Sequence, residues 1–168
     1  FNALNILRAS GYVGVGVNSP STLVEIQGGT GTTGAVLTLS TKETAVDDND
    51  VLGRINFQAP LETGTDAIKV GASIHAEAED SFSATVNSTA LVFSTHTTDT
   101  ATEKMRIASD GVVTLTAGTD YPQIHMKDSG GTVDGQIYAT GGQIGFVRGD
   151  GGAWLLKLDT NSRISLSN

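Results

Sequence analysis

Apolar and polar residues alternate with a period of two along most of the chain, and that period predicts β-strands. It is strictest over residues 68–78, where Ile68, Val70, Ala72, Ile74, Ala76 and Ala78 alternate with Lys69, Gly71, Ser73, His75 and Glu77. Ala and Glu favour a helix by propensity, but a helix would spread these apolar residues around its whole circumference. The same alternation predicts strands at 35–40, through Ala35, Leu37 and Leu39, and at 53–59, through Gly53, Ile55, Phe57 and Ala59. Shorter apolar segments at 22–26, 91–93, 124–126, 135–139 and 144–146 read as further strands. Acidic Asp47-Asp48-Asn49-Asp50 reads as a turn between strands.

One unit recurs. In residues 103–115, Met105 and Ile107 are followed by Ser109-Asp110-Gly111 and then by Val113 and Leu115, which predicts a tight hairpin. Leu156, Leu158, Ser162, Ile164 and Leu166 repeat its spacing, and Leu4, Ile6, Gly11, Val13 and Val15 repeat it with one residue added. A recurring unit that cannot bury its own apolar face is the signature of an array. The repeats divide the chain into 1–34, the end of a preceding module with the Gly-rich linker 28–34; 35–115, an elaborated β-module; and 116–168, a shorter β-repeat. Aligned by composition, Gly135-Gln136-Ile137 matches Gly53-Arg54-Ile55, and Ile144-Gly145-Phe146 matches Leu91-Val92-Phe93. On that alignment the shorter repeat lacks the 68–78 strand and the 81–89 loop. The chain starts in mid-pattern at Phe1, as a piece of something longer would.

Composition turns this array into an expected oligomer. Aromatic residues make up 5% of the 168 residues, and there are 21 glycines. Side chains this small bury little area at about 25 cal/mol per Å², against a backbone entropy cost of roughly 1–2 kcal/mol per residue. A core shared between chains resolves that shortfall. The net charge of −8, with basic residues scattered singly, argues against nucleic acid. No apolar run approaches the ~18 residues of a membrane helix, so no membrane insertion is expected. With no cysteine, neither a disulfide nor a thiolate metal site forms.

Candidate chemistry is sparse. Gly29-Thr30-Gly31-Thr32-Thr33-Gly34 fits a dinucleotide fingerprint literally, but that fingerprint must open a helix, and a strand is predicted next. Asp48-Asn49-Asp50-Val51-Leu52-Gly53 starts like a calcium loop, yet Leu52 stands fifth and Ala59 twelfth, where a bidentate Glu is required. His75, His96 and His125 occur singly. His125 lies on the opposite side of its strand from Ile124 and Met126, and should face solvent. Glu62, Asp66, Glu77, Glu79 and Asp80 are the carboxylates to weigh as a glycosidase pair, but Ser109 and Ser129 have no neighbouring His. Arg148-Gly149-Asp150 reads as a hairpin loop. We expect no catalytic residue, no cofactor and no metal site, and hence no enzyme. Surface binding is expected at the 81–89 loop, through Ser81, Phe82 and Asn87, and at the aromatic residues Tyr121, Tyr138 and Trp154, whose apolar bodies and polar tips suit sugar contact.

The order Gly53-Arg54-Ile55-Asn56-Phe57, Gly71-Ala72-Ser73-Ile74-His75-Ala76, Leu91-Val92-Phe93-Ser94-Thr95 and Glu103-Lys104-Met105-Arg106-Ile107-Ala108-Ser109-Asp110-Gly111 resembles the modules of tailed-bacteriophage tail fibres. Gly11-Tyr12-Val13-Gly14-Val15-Gly16-Val17-Asn18-Ser19-Pro20 resembles their recurrent Val-Gly-Ile-Gly-Thr-x-x-Pro linker. The resemblance covers most of 1–115 and, more loosely, 122–168; the chaperone domain that ends many such fibres is not seen. It implies an all-β, elongated homotrimeric fibre of short strand modules joined by Gly-rich linkers. It also implies a place in the virion, outside the cell, with other tail proteins and a host cell-surface glycan or protein as partners. Two other classes share these patterns: the head of a trimeric bacterial adhesin, and a tailspike that depolymerises polysaccharide.

Overall fold

The computed structural model describes residues 4–59, 69–96, 100–116, 123–127, 130, 133–140, 143–148, 154–158, 161 and 164–166. The fold is all-β: thirteen strands form three sheets, and no helix occurs among the described residues. The chain divides into two compact units, Phe1–Ser40 and Thr41–Asn168.

The first unit holds β1 (Leu4–Ile6), β2 (Val13–Val15) and β3 (Val24–Ile26). Strands β1 and β2 form the antiparallel hairpin that the spacing predicts, with Leu4 opposite Val15 and Ile6 opposite Val13, and β3 adds in parallel to β2. Residues 35–40, predicted as a strand, are not one. A strand needs a neighbouring edge to satisfy its backbone, and no ladder pairs with this segment, whose Val36, Leu37 and Leu39 are exposed.

In the second unit, β4 (Val51–Gln58), β5 (Val70–Ala78), β6 (Thr89–Thr95), β7 (Thr102–Ile107) and β8 (Val113–Leu115) form an antiparallel meander in chain order. Strands β9 (Gln123–Lys127), β10 (Val133–Thr140), β11 (Gln143–Arg148), β12 (Trp154–Leu158) and β13 (Ile164–Leu166) form a second meander. Their registers coincide. Leu91 faces Ile107 and Phe93 faces Met105, with a bulge just after Phe93; Ile144 faces Leu158 and Phe146 faces Leu156, with a bulge just after Phe146. Met105 and Ile107 pair with Leu115 and Val113, as Leu156 and Leu158 pair with Leu166 and Ile164.

These registers revise the strand alignment made from composition. Ile74 faces Phe93 and Ala76 faces Leu91, while Ile137 faces Phe146 and Ala139 faces Ile144. Strand β10 therefore takes the place of β5, not of β4, and β9 takes the place of β4, with Ile124 opposite Ile137 as Ile55 is opposite Ile74. The second meander keeps all five strands. What it shortens are the connections: β5 and β6 are joined by residues 79–88, β10 and β11 by 141–142.

Alternation then sorts each sheet into two faces. Ile55, Phe57, Ala72, Ile74, Ala76, Leu91, Phe93, Met105, Ile107, Val113 and Leu115 share one face of β4–β8 by register. This apolar face is not the buried one: Phe57 is 54% exposed, and Ile55, Leu91, Ile107 and Val113 are exposed as well. Burial is concentrated on the other face, at Ser73, His75, Val92 and Ser94. The second meander repeats this, with Ile124, Met126, Ile144, Phe146, Leu158 and Ile164 exposed and Gln136 and Val147 buried.

Candidate functional site

The buried face of the first meander carries a charge cluster. Glu77 is the penultimate residue of β5, Glu79 follows the strand, and Glu103 and Arg106 lie on β7, across β6. Arg106 grips Glu103 with a two-pronged fork, Nε to Oε1 at 2.9 Å and Nη2 to Oε2 at 2.9 Å. It also donates to Glu77 at 2.7 Å and to Glu79 at 3.3 Å. A planar guanidinium suits such bidentate binding, which a lysine cannot reproduce. The Arg106 fork holds the Glu103 carboxyl below its ordinary range, and the surrounding carboxylates raise the Arg106 guanidinium further above its own. Glu79 is lowered first by the Ser109 backbone N–H, which donates to its Oε2 at 2.8 Å, and then by Arg106. Beneath the cluster His75 is 6% exposed; its Nε2 lies 3.5 Å from Glu77 and its Nδ1 is buried with no partner.

Beside this cluster the 79–88 connection folds back as an ordered loop. The Glu79 N–H donates to the Ser88 carbonyl at 2.9 Å, and Ser83 N–H to the Val86 carbonyl at 2.8 Å. The other flank rests on the 47–50 turn: Phe82 N–H donates to Val46 O, and the Ser81 hydroxyl to Asp47 Oδ1 at 3.0 Å. That turn is as predicted, with Asn49 in the left-handed region at φ 71°, where Asn is among the tolerated residues. Asp50 adds to the Glu43 carboxyl a like charge that raises it.

Residues 85–89 and the Ser109-Asp110 turn enclose an open groove of about 560 Å³. Of the residues proposed from sequence, Asn87 lines it. Ser81 and Phe82 instead face the 46–47 segment, with Phe82 half-buried. Tyr138 pairs in register with Gly145 and Trp154 with Val147, whereas Tyr121 lies outside the described residues. Sequence reasoning missed Ser109 and Asp110 as a groove wall, since it treated their hairpin as architecture alone.

The remaining motifs are placed plainly. In 29–34 the chain closes a self-contained turn, with Thr30 N–H donating to Thr33 Oγ1 and Thr33 N–H to Thr30 O, and no helix follows. These amides are therefore spent within the turn. Glu77 and Glu79 both belong to Arg106, Asp80 accepts from the Ser81 N–H, and Glu62 and Asp66 lie outside the described residues. His125 is exposed, as expected, but so are Ile124 and Met126 on the opposite face. Gly149 and Asp150 lie outside the described residues. Among the described residues no group of three His, Asp or Glu is placed to hold a metal ion, and no helix is long and apolar enough to cross a membrane. No protein-family model matches the chain, and no curated protein matches it significantly.

Proposed function

We propose that the chain is a structural segment of a bacteriophage tail fibre. It forms an elongated homotrimer in the virion, gives the fibre reach, and presents loops to a glycan or protein of the host surface. It joins other tail proteins end to end and catalyses no reaction. The observation that carries this reading is the uncovered apolar face of β4–β8, repeated on β9–β13 and, through Leu4, Ile6, Val15, Val24 and Ile26, on β1–β3. Exposed apolar patches of this extent mark an interaction surface.

The face also says which partner fits. The paired positions of the apolar face carry no charged residue on β1–β3 or β4–β8, while Arg54, Glu77, Glu103 and Arg106 stand on the opposite face of the first meander; on β9–β13 Arg148, opposite Gly135, is the one charged residue at such a position among the described residues. Chains of net charge −8 repel one another, so self-association favours a charge-free surface. A foreign partner would have to match the register that the two meanders share, whereas a second copy does so automatically. Threefold symmetry itself comes from the resemblance to tail fibres.

Pairing of Glu77 and Glu79 with Arg106 weighs against the depolymerising tailspike, because it leaves neither carboxylate available as a general acid or base. Size-exclusion chromatography with light scattering tests the proposal. A particle of about 52 kDa, three times 17.3 kDa, is expected; a stable monomer overturns it.

A further inference from the structure

We propose that the groove between residues 85–89 and the 109–110 turn is a binding site for an uncharged carbohydrate. The inference rests on the attachment role proposed above and assigns that role a place and a ligand class.

Both walls of the groove hang from one residue. The backbone N–H of Glu79 holds Ser88 on the first wall, and its carboxylate holds the Ser109 N–H on the second. Arg106 in turn fixes that carboxylate at 3.3 Å. Within the first wall, the Ser83 hydroxyl accepts from the Val86 N–H at 3.1 Å, and Thr89 Oγ1 donates to the Asn87 carbonyl at 3.1 Å. In the second, Asp110 Oδ1 accepts from the Val112 N–H at 2.9 Å. The walls are thus set before any ligand arrives, which lowers the ordering cost of binding.

The lining selects by chemistry. Hydroxyls of Thr85, Ser88 and Ser109 and the amide of Asn87 each offer donors and acceptors. Asp110 lines the groove with its Oδ1 held by the Val112 N–H, and a carboxylate has a second oxygen that can accept from ligand hydroxyl groups. No Lys, Arg or His lines the groove, and its one charge is negative. Phosphates, uronates and other anions are therefore disfavoured. Apart from Val86 no sizeable apolar side chain lines it, so it lacks the buried anchor pocket on which peptide recognition depends. A neutral ligand dense in hydroxyl groups, with one C–H face against Val86, satisfies each of these features. Three equivalent grooves per trimer would add avidity to a shallow single site.

Amide chemical shifts of the intact, isotope-labelled oligomer, titrated with mannose, galactose, glucose and N-acetylglucosamine, test this, with glucuronate and inorganic phosphate as anionic comparators. Expected are saturable shifts at Asn87, Ser88, Ser109 and Asp110 with at least one neutral sugar, and none with the anions. Asp110→Asn and Asn87→Ala should each weaken that binding about tenfold or more, whereas Ser81→Ala, on the far flank, should leave it unchanged. The proposal is overturned if no neutral sugar shifts these amides, if the anions shift them more strongly, or if both groove variants bind as the parent does. Light scattering on the same samples separates the two claims: an oligomer without sugar binding removes the groove only, and a monomer that binds sugar removes the fibre assembly only.

Discussion

The two meanders of the second unit share a register and an apolar face, and they differ in nearly everything else. Val92 at the centre of β6 corresponds to Gly145 of β11, since each stands between the two apolar positions of its strand. His75 corresponds to Tyr138, Glu77 to Thr140 and Arg106 to Lys157, so the charge cluster of the first sheet has no counterpart in the second. The 79–88 loop shrinks to 141–142. The positions of the exposed apolar face are kept, while those on the opposite face and in the connections vary.

Placing a charge on the shared face should have the largest effect. Phe93→Asp and Phe146→Asp occupy equivalent positions, and each would bury an unpaired carboxylate in the proposed contact between chains, at roughly 3–5 kcal/mol apiece. Loss of the oligomer, read by analytical ultracentrifugation, is expected for both. If only one variant dissociates the assembly, the two faces are not equivalent and the repeat does not mean what the register implies.

Next come the swaps at the position where the sheets differ most. The Val92 side chain is 1% exposed, and Val92→Gly removes its burial and loosens the strand, at about 2–4 kcal/mol. Gly145 is held for a steric reason, because a Cβ there would meet the Leu156 carbonyl oxygen at 1.9 Å. Gly145→Val should therefore disrupt the β11–β12 pairing. Hydrogen exchange read by mass spectrometry should show protection lost in β9–β13 for Gly145→Val and in β4–β8 for Val92→Gly. Loss in both sheets from either swap would show that they unfold as one.

Much of this fold was legible in the sequence, and the gaps have physical causes. Period two placed β4 and β5, a short apolar segment placed β6, and equal spacing placed the hairpins of β1–β2, β7–β8 and β12–β13. It failed at 35–40, because alternation describes a strand's faces and not the edge it needs. The composition match of Gly135-Gln136-Ile137 with Gly53-Arg54-Ile55 misassigned β10, since strand order follows ladder register and connection length, not local composition. Arg106 lies 29 residues from Glu77 and 27 from Glu79; only the β5–β6–β7 register brings them together. The groove was invisible for the same reason, with walls from two separate connections.

A smaller effect is expected from Arg106→Gln, which exists to break in the first sheet only. It should cost about 2 kcal/mol in chemical denaturation at neutral pH and change the second sheet little. Its pH dependence carries the sign. Glu79 and Glu103 are held below their ordinary 4.5 in the folded chain, so their contribution is complete above that value. It is lost as pH falls through the lowered folded values. Glu43, raised by Asp50, acts the other way and recovers part of that loss. The parent should therefore lose stability below about pH 4.5, and Arg106→Gln should flatten the decline; an unchanged slope would remove the cluster as its source.

The smallest effect tests why the hairpin needs a glycine. Gly111 sits at φ +87°, donates its N–H to the Ala108 carbonyl at 2.9 Å, and has open space where a Cβ would project. Gly111→Ala meets no atom, so its cost is conformational alone, about 1 kcal/mol, and should appear as a lowered denaturation midpoint with exchange protection kept throughout β4–β7. Gly145→Val, by contrast, meets backbone and should remove protection from a whole sheet. The same residue type thus serves two purposes, one of backbone conformation and one of interstrand space. Were Gly111→Ala to abolish protection in β7 and β8, the turn would be directing the pairing of the hairpin, and the apolar face would be its consequence and not its cause.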